Sequence, residues 1–298
     1  MSDHSGSAGL VRFIDLHSHT NESDGSLTPE ELVLLACRSD LDALAITDHD
    51  TFSGYEKALP FARDAGLDLI RGIELNSRLN LGNGVERSVH LLGYFPRREP
   101  SQEMVVFLEE QRKERRSRNR RLADALQRRG VNVALEEVES RGRSLAGRVH
   151  FARILVEKGY AADSSDAFRR YLGENAPTYV HRESQTIEQA IRILRNGGGV
   201  PVLAHPVRLS LPRDAERQVL LQLKQAGLIG LEIYHSEHSP TLQAHYRQLA
   251  EELNLLPTGG SDFHGTPKPD VDLGTGLHGN VRVPREFLDH MRELPVES

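Results

Sequence analysis

Two histidines one residue apart, His17 and His19, close the first β-rich run of the chain, residues 11–16. In an extended strand residues i and i+2 point to the same face, so both imidazoles can reach one metal ion. One such pair is common by chance, and its weight comes from what the later runs carry. Asp48-His49 ends the run at 43–47, Glu74 the run at 69–73, and His90 lies in 88–93. His205 ends 200–204, His235 follows 230–234, and Asp262 and His264 follow 255–258. Asp24 sits in the loop after the first run. A lone histidine at a strand end is ordinarily structural. Seven strands that each bring a metal-type ligand to or near a C-terminal end describe the face on which barrel enzymes build their sites. His4, His278 and His290 fall outside this pattern and read as surface, and His238 and His245, on a helix after the sixth run, as structural.

His17, His19, Asp24, His49, Glu74, His90, His205, Asp262 and His264 are more ligands than one ion can use. They suit two or three ions, with a central carboxylate such as Glu74 as bridge. Mixed imidazole and carboxylate ligation favours Mn2+, Fe or Zn over Mg2+ or Ca2+, which prefer oxygen shells. Adjacent divalent ions make hydroxide available at neutral pH and clamp both oxygens of an in-line displacement. The expected chemistry is hydrolysis of a phosphate ester or another polarised centre.

The elements that must position these residues alternate. Thr28-Pro29-Glu30-Glu31, Ser53-Gly54-Tyr55-Glu56 and Thr186-Ile187-Glu188-Gln189 carry capping-box patterns, and Ser239-Pro240 starts a helix running towards Leu253. Strands alternating with helices predict a parallel α/β architecture, and the lack of a GxGxxG motif favours barrel closure over an open nucleotide-binding sheet. The alternation stops between Pro96 and Glu183, where 102–129, 149–158 and 165–172 all read as helix. The expected organisation is a metal-binding barrel of residues 11–95 and 184–290, with 96–183 a helical insertion between the fourth and fifth strands.

The chain has 298 residues, 37 Lys and Arg against 43 Asp and Glu, a net charge of −6 and 38% hydrophobic residues. A single cysteine, Cys37, excludes an internal disulfide framework and a Cys-rich zinc module. No apolar run approaches the roughly 20 residues of a membrane span, and the polar N-terminus lacks a secretory h-region. The expectation is a cytoplasmic protein with no membrane and no obligate protein partner. Only 5 of the basic residues are lysine, which genomic base composition explains simply. Between Arg112 and Arg153, however, 13 Lys and Arg face 5 Asp and Glu, a net of +8 that leaves −14 for the remainder. Such a run is ordinarily the solvated face of a helix. The alternative is an electropositive lid that steers anionic substrates towards an acidic metal site.

Asp15-Leu16-His17-Ser18-His19-Thr20, Ile46-Thr47-Asp48-His49-Asp50, Gly72-Ile73-Glu74, His90-Leu91-Leu92-Gly93-Tyr94, Ala204-His205-Pro206 and Gly260-Ser261-Asp262-Phe263-His264 closely resemble the motifs of PHP-domain phosphoesterases. The resemblance implies a distorted (β/α)7 TIM-like barrel with a trinuclear metal site. It implies one ion on His17, His19, Glu74 and Asp262, a second on Glu74, His90 and His205, and a third on Asp24, His49 and His264. The family often has histidine where this chain has Asp24. The segment Ser144-Leu145-Ala146-Gly147-Arg148-Val149-His150-Phe151-Ala152-Arg153 looks like that of bacterial PHP proteins that hydrolyse nucleoside 3′,5′-bisphosphates, and close relatives trim short RNA oligonucleotides from the 5′ end. The implied substrate is a small nucleotide bisphosphate, and the implied reaction removes its 3′-phosphate. Arg148, after a glycine near a helix start, suits a bidentate phosphate clamp or, alternatively, a helix-capping salt bridge. His235, with Glu232 beside it, lies outside the implied ligand sets. It is the candidate for phosphate binding or protonation of the leaving oxygen, or else supports the ligands. Arg143, Tyr179, His181 and Arg208 are candidates to meet the second phosphate or the base. The competing activities are a 5′-directed exoribonuclease, a histidinol-phosphate phosphatase and an amidohydrolase, and the non-enzymatic alternative is a degenerate module.

Overall fold

The structure, a computed structural model, describes residues 13–82, 84–142, 146–181 and 185–295. One eight-stranded sheet runs in the order β10-β1-β2-β3-β4-β5-β6-β7 and nearly closes into a barrel. Its members are β1 (Phe13–Asp15), β2 (Ala43–Ile46), β3 (Asp68–Asn80), β4 (Glu86–Phe95), β5 (Val200–Leu203), β6 (Gly230–Tyr234), β7 (Leu256–Gly259) and β10 (Val283–Pro284). β8 (Val271–Asp272) and β9 (Gly276–Leu277) form a small separate ribbon. The seam between β1 and β7 is stitched beyond the strand ends, where the Leu16 amide donates to Gly259, Asp262 to His17, and His19 to Phe263, at 2.8–3.2 Å. A Cβ at Gly260 would fall 2.3 Å from the His17 amide nitrogen, so the close approach that joins the HxH run to the Asp262 loop requires glycine there.

Helices cover the outside: α1 (Pro29–Arg38), α2 (Ser53–Ala65), α7 (Ile187–Asn196), α8 (Arg213–Gln225) and α9 (Pro240–Glu252). Thr28 and Thr186 cap α1 and α7 in complete capping boxes, and Ser239 caps α9. Ser53 departs from expectation. It is the first residue of α2 rather than its cap, and its hydroxyl donates to Glu22 at 2.8 Å. Alternate strand residues, among them Ala43, Ala45, Leu92, Tyr94, Val200 and Val202, fill the barrel interior, and α10 (Glu286–Glu293) plugs its lower end with Phe287, Leu288 and Met291. No helix among the described residues is long and apolar enough to cross a membrane.

The sheet is not wholly parallel. β4 pairs antiparallel with both β3 and β5, and β10 antiparallel with β1. Only a short turn separates β3 from β4, too little chain for the crossover a parallel pair needs. Both strands also run on past the barrel as a two-stranded arm, one face of which packs Leu79 and Val89 into the core while Arg78 pairs with Glu86 near its tip. Glu74 therefore lies inside a long strand rather than at its end.

Between β4 and α7 the chain forms α3 (Gln102–Gln127), α4 (Leu135–Gly142), α5 (Arg148–Glu157), α6 (Ser164–Ala167) and a wide helical turn at Phe168–Leu172. Leu122, Leu126, Val138, Phe151, Leu155 and Leu172 build a core of their own here. The first turns of α3 belong instead to the barrel, where Met104 and Leu108 pack in the cluster of α7. α3 thus spans two cores.

Candidate metal centre

The seven ligand-bearing runs meet at one mouth of the barrel. Backbone bonds continue past the regular ladders: Thr47 donates to Ser18, Asp50 to Glu74, Glu74 to Asp48 and Ala204 to His90. These bonds carry the side chains inwards at fixed spacing. His17 Nε2 and His19 Nε2 lie 3.4 and 3.2 Å from Glu74 Oε2, and 3.5 and 3.4 Å from Asp262 Oδ1. His90 Nδ1 and His205 Nε2 lie 2.7 and 3.0 Å from the other Glu74 oxygen, and His49 Nδ1 3.3 Å from Oε2. Asp24 reaches His264 Nε2 at 3.3 Å and His49 Nε2 at 3.7 Å. All nine candidate ligands thus converge around Glu74, which is 1% exposed and touches five imidazoles.

The donor set fits divalent cations. Ring nitrogens His17 Nε2, His19 Nε2 and His49 Nδ1 are buried without a hydrogen-bond partner, although each has a carboxylate oxygen within 3.5 Å. Metal bonds of about 2.1 Å place neighbouring ligand atoms about 3.0–3.4 Å apart, close to the spacings seen here. Burial opposes charge on all three carboxylates, yet the surrounding imidazoles hold Asp24, Glu74 and Asp262 well below the usual range. Burial pushes His49 down to about 4 and His205 to about 3, leaving both neutral with a lone pair to give. Burial alone would lower His19, but the adjacent Asp262 and Glu74 carboxylates carry it the other way, up to about 9.

A supporting layer holds the candidate ligands. Glu232, fully buried, accepts from His17 Nδ1 at 2.8 Å and from the His205 amide at 2.6 Å. Burial would raise its pKa, but the His17 charge brings it down to about 2. Asp15 accepts from the amides of His17, Ser261 and Gly274 and from the Ser261 hydroxyl, tying both sides of the barrel seam. Asp48 accepts from Thr20 and Ser23 and so fixes the loop that carries Asp24. His205 and Asp262 adopt φ of 28° and 55°, strained for residues with a Cβ and concentrated at the cluster. The sequence reading gave Asp15 and Asp48 no role, although each sits directly within a ligand-bearing motif.

A cavity of about 520 Å³ opens above Glu74, His49, His90, Asp262 and His264. Arg148, Tyr179, His181 and Arg208 line it as well. Arg148 is the first residue of α5, behind the Gly147 cap, and makes no ion pair among the described residues. Its guanidinium stands 5.9 Å from the rings of Phe168 and Tyr179 and reaches the Leu172 carbonyl at 3.4 Å. Arg208 is already bound to Glu237 and lies 3.2 Å from Asp262 Oδ2. Arg115, Arg118 and Lys268 also reach the cavity wall and were not singled out by motif; Lys268 Nζ lies 2.5 Å from Asp262 Oδ2. His235 is placed differently from a residue that meets substrate. It is 1% exposed beneath the cavity, with Nδ1 accepting from the Glu237 amide and Nε2 3.2 Å from Asp262 Oδ2. Arg143 lies outside the described residues.

A nearly closed α/β barrel with a buried His, Asp and Glu cluster at one mouth is the frame of a metal-dependent hydrolase. The chain belongs to the PHP-domain family, whose domain matches residues 15–177. It is 35% identical over 267 residues to the 5′-3′ exoribonuclease Rnm of Escherichia coli, covering 88% of each chain. To the 3′,5′-nucleoside bisphosphate phosphatase of Chromobacterium violaceum it is 30% identical over 264 residues, 88% of this chain and 90% of the relative. A candidate metal-dependent phosphoesterase from Bifidobacterium adolescentis has a similar structure, with a TM-score of 0.78 and 30% identity over 94% of this chain and 95% of that one.

Proposed function

We infer that this chain removes the 3′-phosphate from nucleoside 3′,5′-bisphosphates such as adenosine 3′,5′-bisphosphate, giving the nucleoside 5′-monophosphate. The observation that carries the reading is a guanidinium with no carboxylate partner among the described residues, Arg148, lining the same cavity as the nine-residue cluster. Two to three divalent transition ions, Mn2+ in first place, held by His17, His19, Asp24, His49, Glu74, His90, His205, Asp262 and His264, would supply activated water and charge neutralisation. Arg148 binds the phosphate bidentately, helped by the α5 N-terminus. Tyr179 offers its ring to the base, and Arg118 suits the second phosphate. Residues 96–183 act as the lid that excludes water, and His235 orients Asp262 from below. Histidinol phosphate, with one phosphate and an amine, makes poor use of so cationic a wall. An amidohydrolase centre would commonly bridge its metals with a modified lysine; here Glu74 would take that place, and Lys268 pairs with Asp262.

A second reading, exoribonuclease action on short 5′-phosphorylated RNA through the same site, is favoured by the name of the Escherichia coli relative. Phosphate and nucleotide release from a panel of adenosine 3′,5′-bisphosphate, histidinol phosphate, 5′-AMP and a 5′-phosphorylated oligoribonucleotide tests both. The expected result is kcat/KM for the bisphosphate at least ~100-fold above histidinol phosphate and 5′-AMP. Preference for histidinol phosphate would overturn the reading.

A further inference from the structure

A second cleft adjoins the catalytic cavity. It is walled by Arg121 and Asp124 of α3 and Arg128 just past its C-terminus on one side and by Thr178, Tyr179 and His181 on the other. Tyr179, Val180 and His181 line both spaces, so the cleft and the cavity share one wall that carries a tyrosine ring and an imidazole. Arg121 and Arg128 are exposed and make no ion pair or side-chain hydrogen bond among the described residues, even with Asp124 on the same face. They stand two helical turns apart, about 10.5 Å along the axis. Two other exposed arginines of the insertion are paired, Arg116 with Glu139 and Arg141 with Glu157. An aromatic platform flanked by exposed guanidinium groups is the chemistry of a single-stranded nucleic-acid track.

We propose that this cleft binds the second and third nucleotides of a 5′-phosphorylated RNA whose 5′ end occupies the cavity, with Arg121 and Arg128 on backbone phosphates and Tyr179 stacking at the junction. The proposal rests on the nucleotide reading of the cavity and gives that site its substrate length. A mononucleotide bisphosphate fills the cavity alone and never reaches the cleft, whereas each nucleotide beyond the second brings a backbone phosphate to the arginines.

The test uses full-length, metal-loaded protein and 3′-fluorescein oligoribonucleotides with a 5′-phosphate and uncleavable phosphorothioate linkages, read by anisotropy. Wild-type protein should bind a pentamer at least ~10-fold more tightly than a dimer. In R121A/R128A that gain should vanish, with dimer binding unchanged. Loss of two phosphate contacts should also flatten the plot of log affinity against log salt by about 1.4. Equal binding of dimer and pentamer by wild type, or an unaltered pentamer affinity in the double variant, would overturn the proposal. Phosphate release from adenosine 3′,5′-bisphosphate, measured on the same preparations, should not change in the variant. If wild type releases none while the length dependence persists, the bisphosphate reading fails and the track stands.

Discussion

Glu74 is the residue through which the site is assembled. Both of its oxygens are shared among imidazoles, so no single change should disturb more. Glu74→Gln removes the charge and one acceptor oxygen at nearly constant volume. Bound transition metal, measured by inductively coupled plasma mass spectrometry, should fall by at least one equivalent, and phosphate release should drop by ~10³ or more. Glu232 acts a step further out, since it holds the His17 ring and the His205 amide without reaching the cavity. Residues in such positions typically change metal affinity or activity 10–100-fold. Glu232→Gln should therefore weaken metal affinity by about that factor in a chelator competition titration, while saturating metal restores most of the activity. Arg148→Ala predicts the opposite split. Phosphate release should fall by ~10²–10³, the scale of losing one positioned donor, with metal content unchanged. Parallel loss of both would assign Arg148 to folding instead.

At the scale of elements, the insertion is fastened to the face that carries the cluster. Arg115 of α3 bonds to Asp50, next to His49, and Arg153 of α5 reaches the carbonyl of Asp24. Asp50 is 1% exposed and also accepts from Asn76 on β3, so the ion pair ties helix, loop and hairpin together. Removing one partner of a buried pair strands the other charge and typically costs ~3–5 kcal/mol. Arg115→Leu should accordingly lower the denaturant midpoint substantially, and hydrogen exchange should rise along 48–52 and the first turns of the insertion. The elements themselves were partly legible. Each β-rich run overlaps a strand, because residues such as Ala43–Ile46 and Val200–Leu203 are apolar throughout, as barrel strands covered on both faces must be. The reversed direction of β4 was not legible, since apolar runs carry no arrow. The outer arm of β3 and β4 was missed for the opposite reason: Asn76, Arg78, Asn80, Glu86 and Arg87 break the apolar pattern once the strands leave the barrel. β10 is two residues long and has no period at all. The candidate ligands could be picked out because imidazoles and carboxylates at strand ends are conspicuous. Arg115, Arg118 and Lys268 could not, because only folding brings them to the cavity.

For the molecule as a whole, the lower end of the barrel is closed by charge as well as by packing. Asp68, at the start of β3, accepts from Arg292 through both guanidinium nitrogens at 2.8 Å and from Arg285 at 2.6 Å. Partial burial would raise its pKa, but the bonds and charge of Arg292 and then Arg285 pull it below its usual 3.8. The unfolded chain therefore binds the proton first as pH falls, and stability from this network, present above about pH 4, is lost below it. Asp68→Asn should lower stability at pH 7 by about 1 kcal/mol or less, as befits a partly exposed network, with the difference from wild type shrinking towards pH 3 in urea titrations. At the other mouth the charge pattern reads differently from the net −6: acidic and imidazole groups gather below the cavity, and cationic side chains line its walls. On the proposed reading, a polyanion would be admitted there only once cations neutralise the cluster. The most direct measurement is therefore the metal content of protein purified without chelator, taken together with its hydrolysis of adenosine 3′,5′-bisphosphate before and after chelation. The predicted result is two to three equivalents of divalent transition metal per chain, with activity lost on their removal and restored by Mn2+. Protein that is metal-free, folded and still active would contradict it.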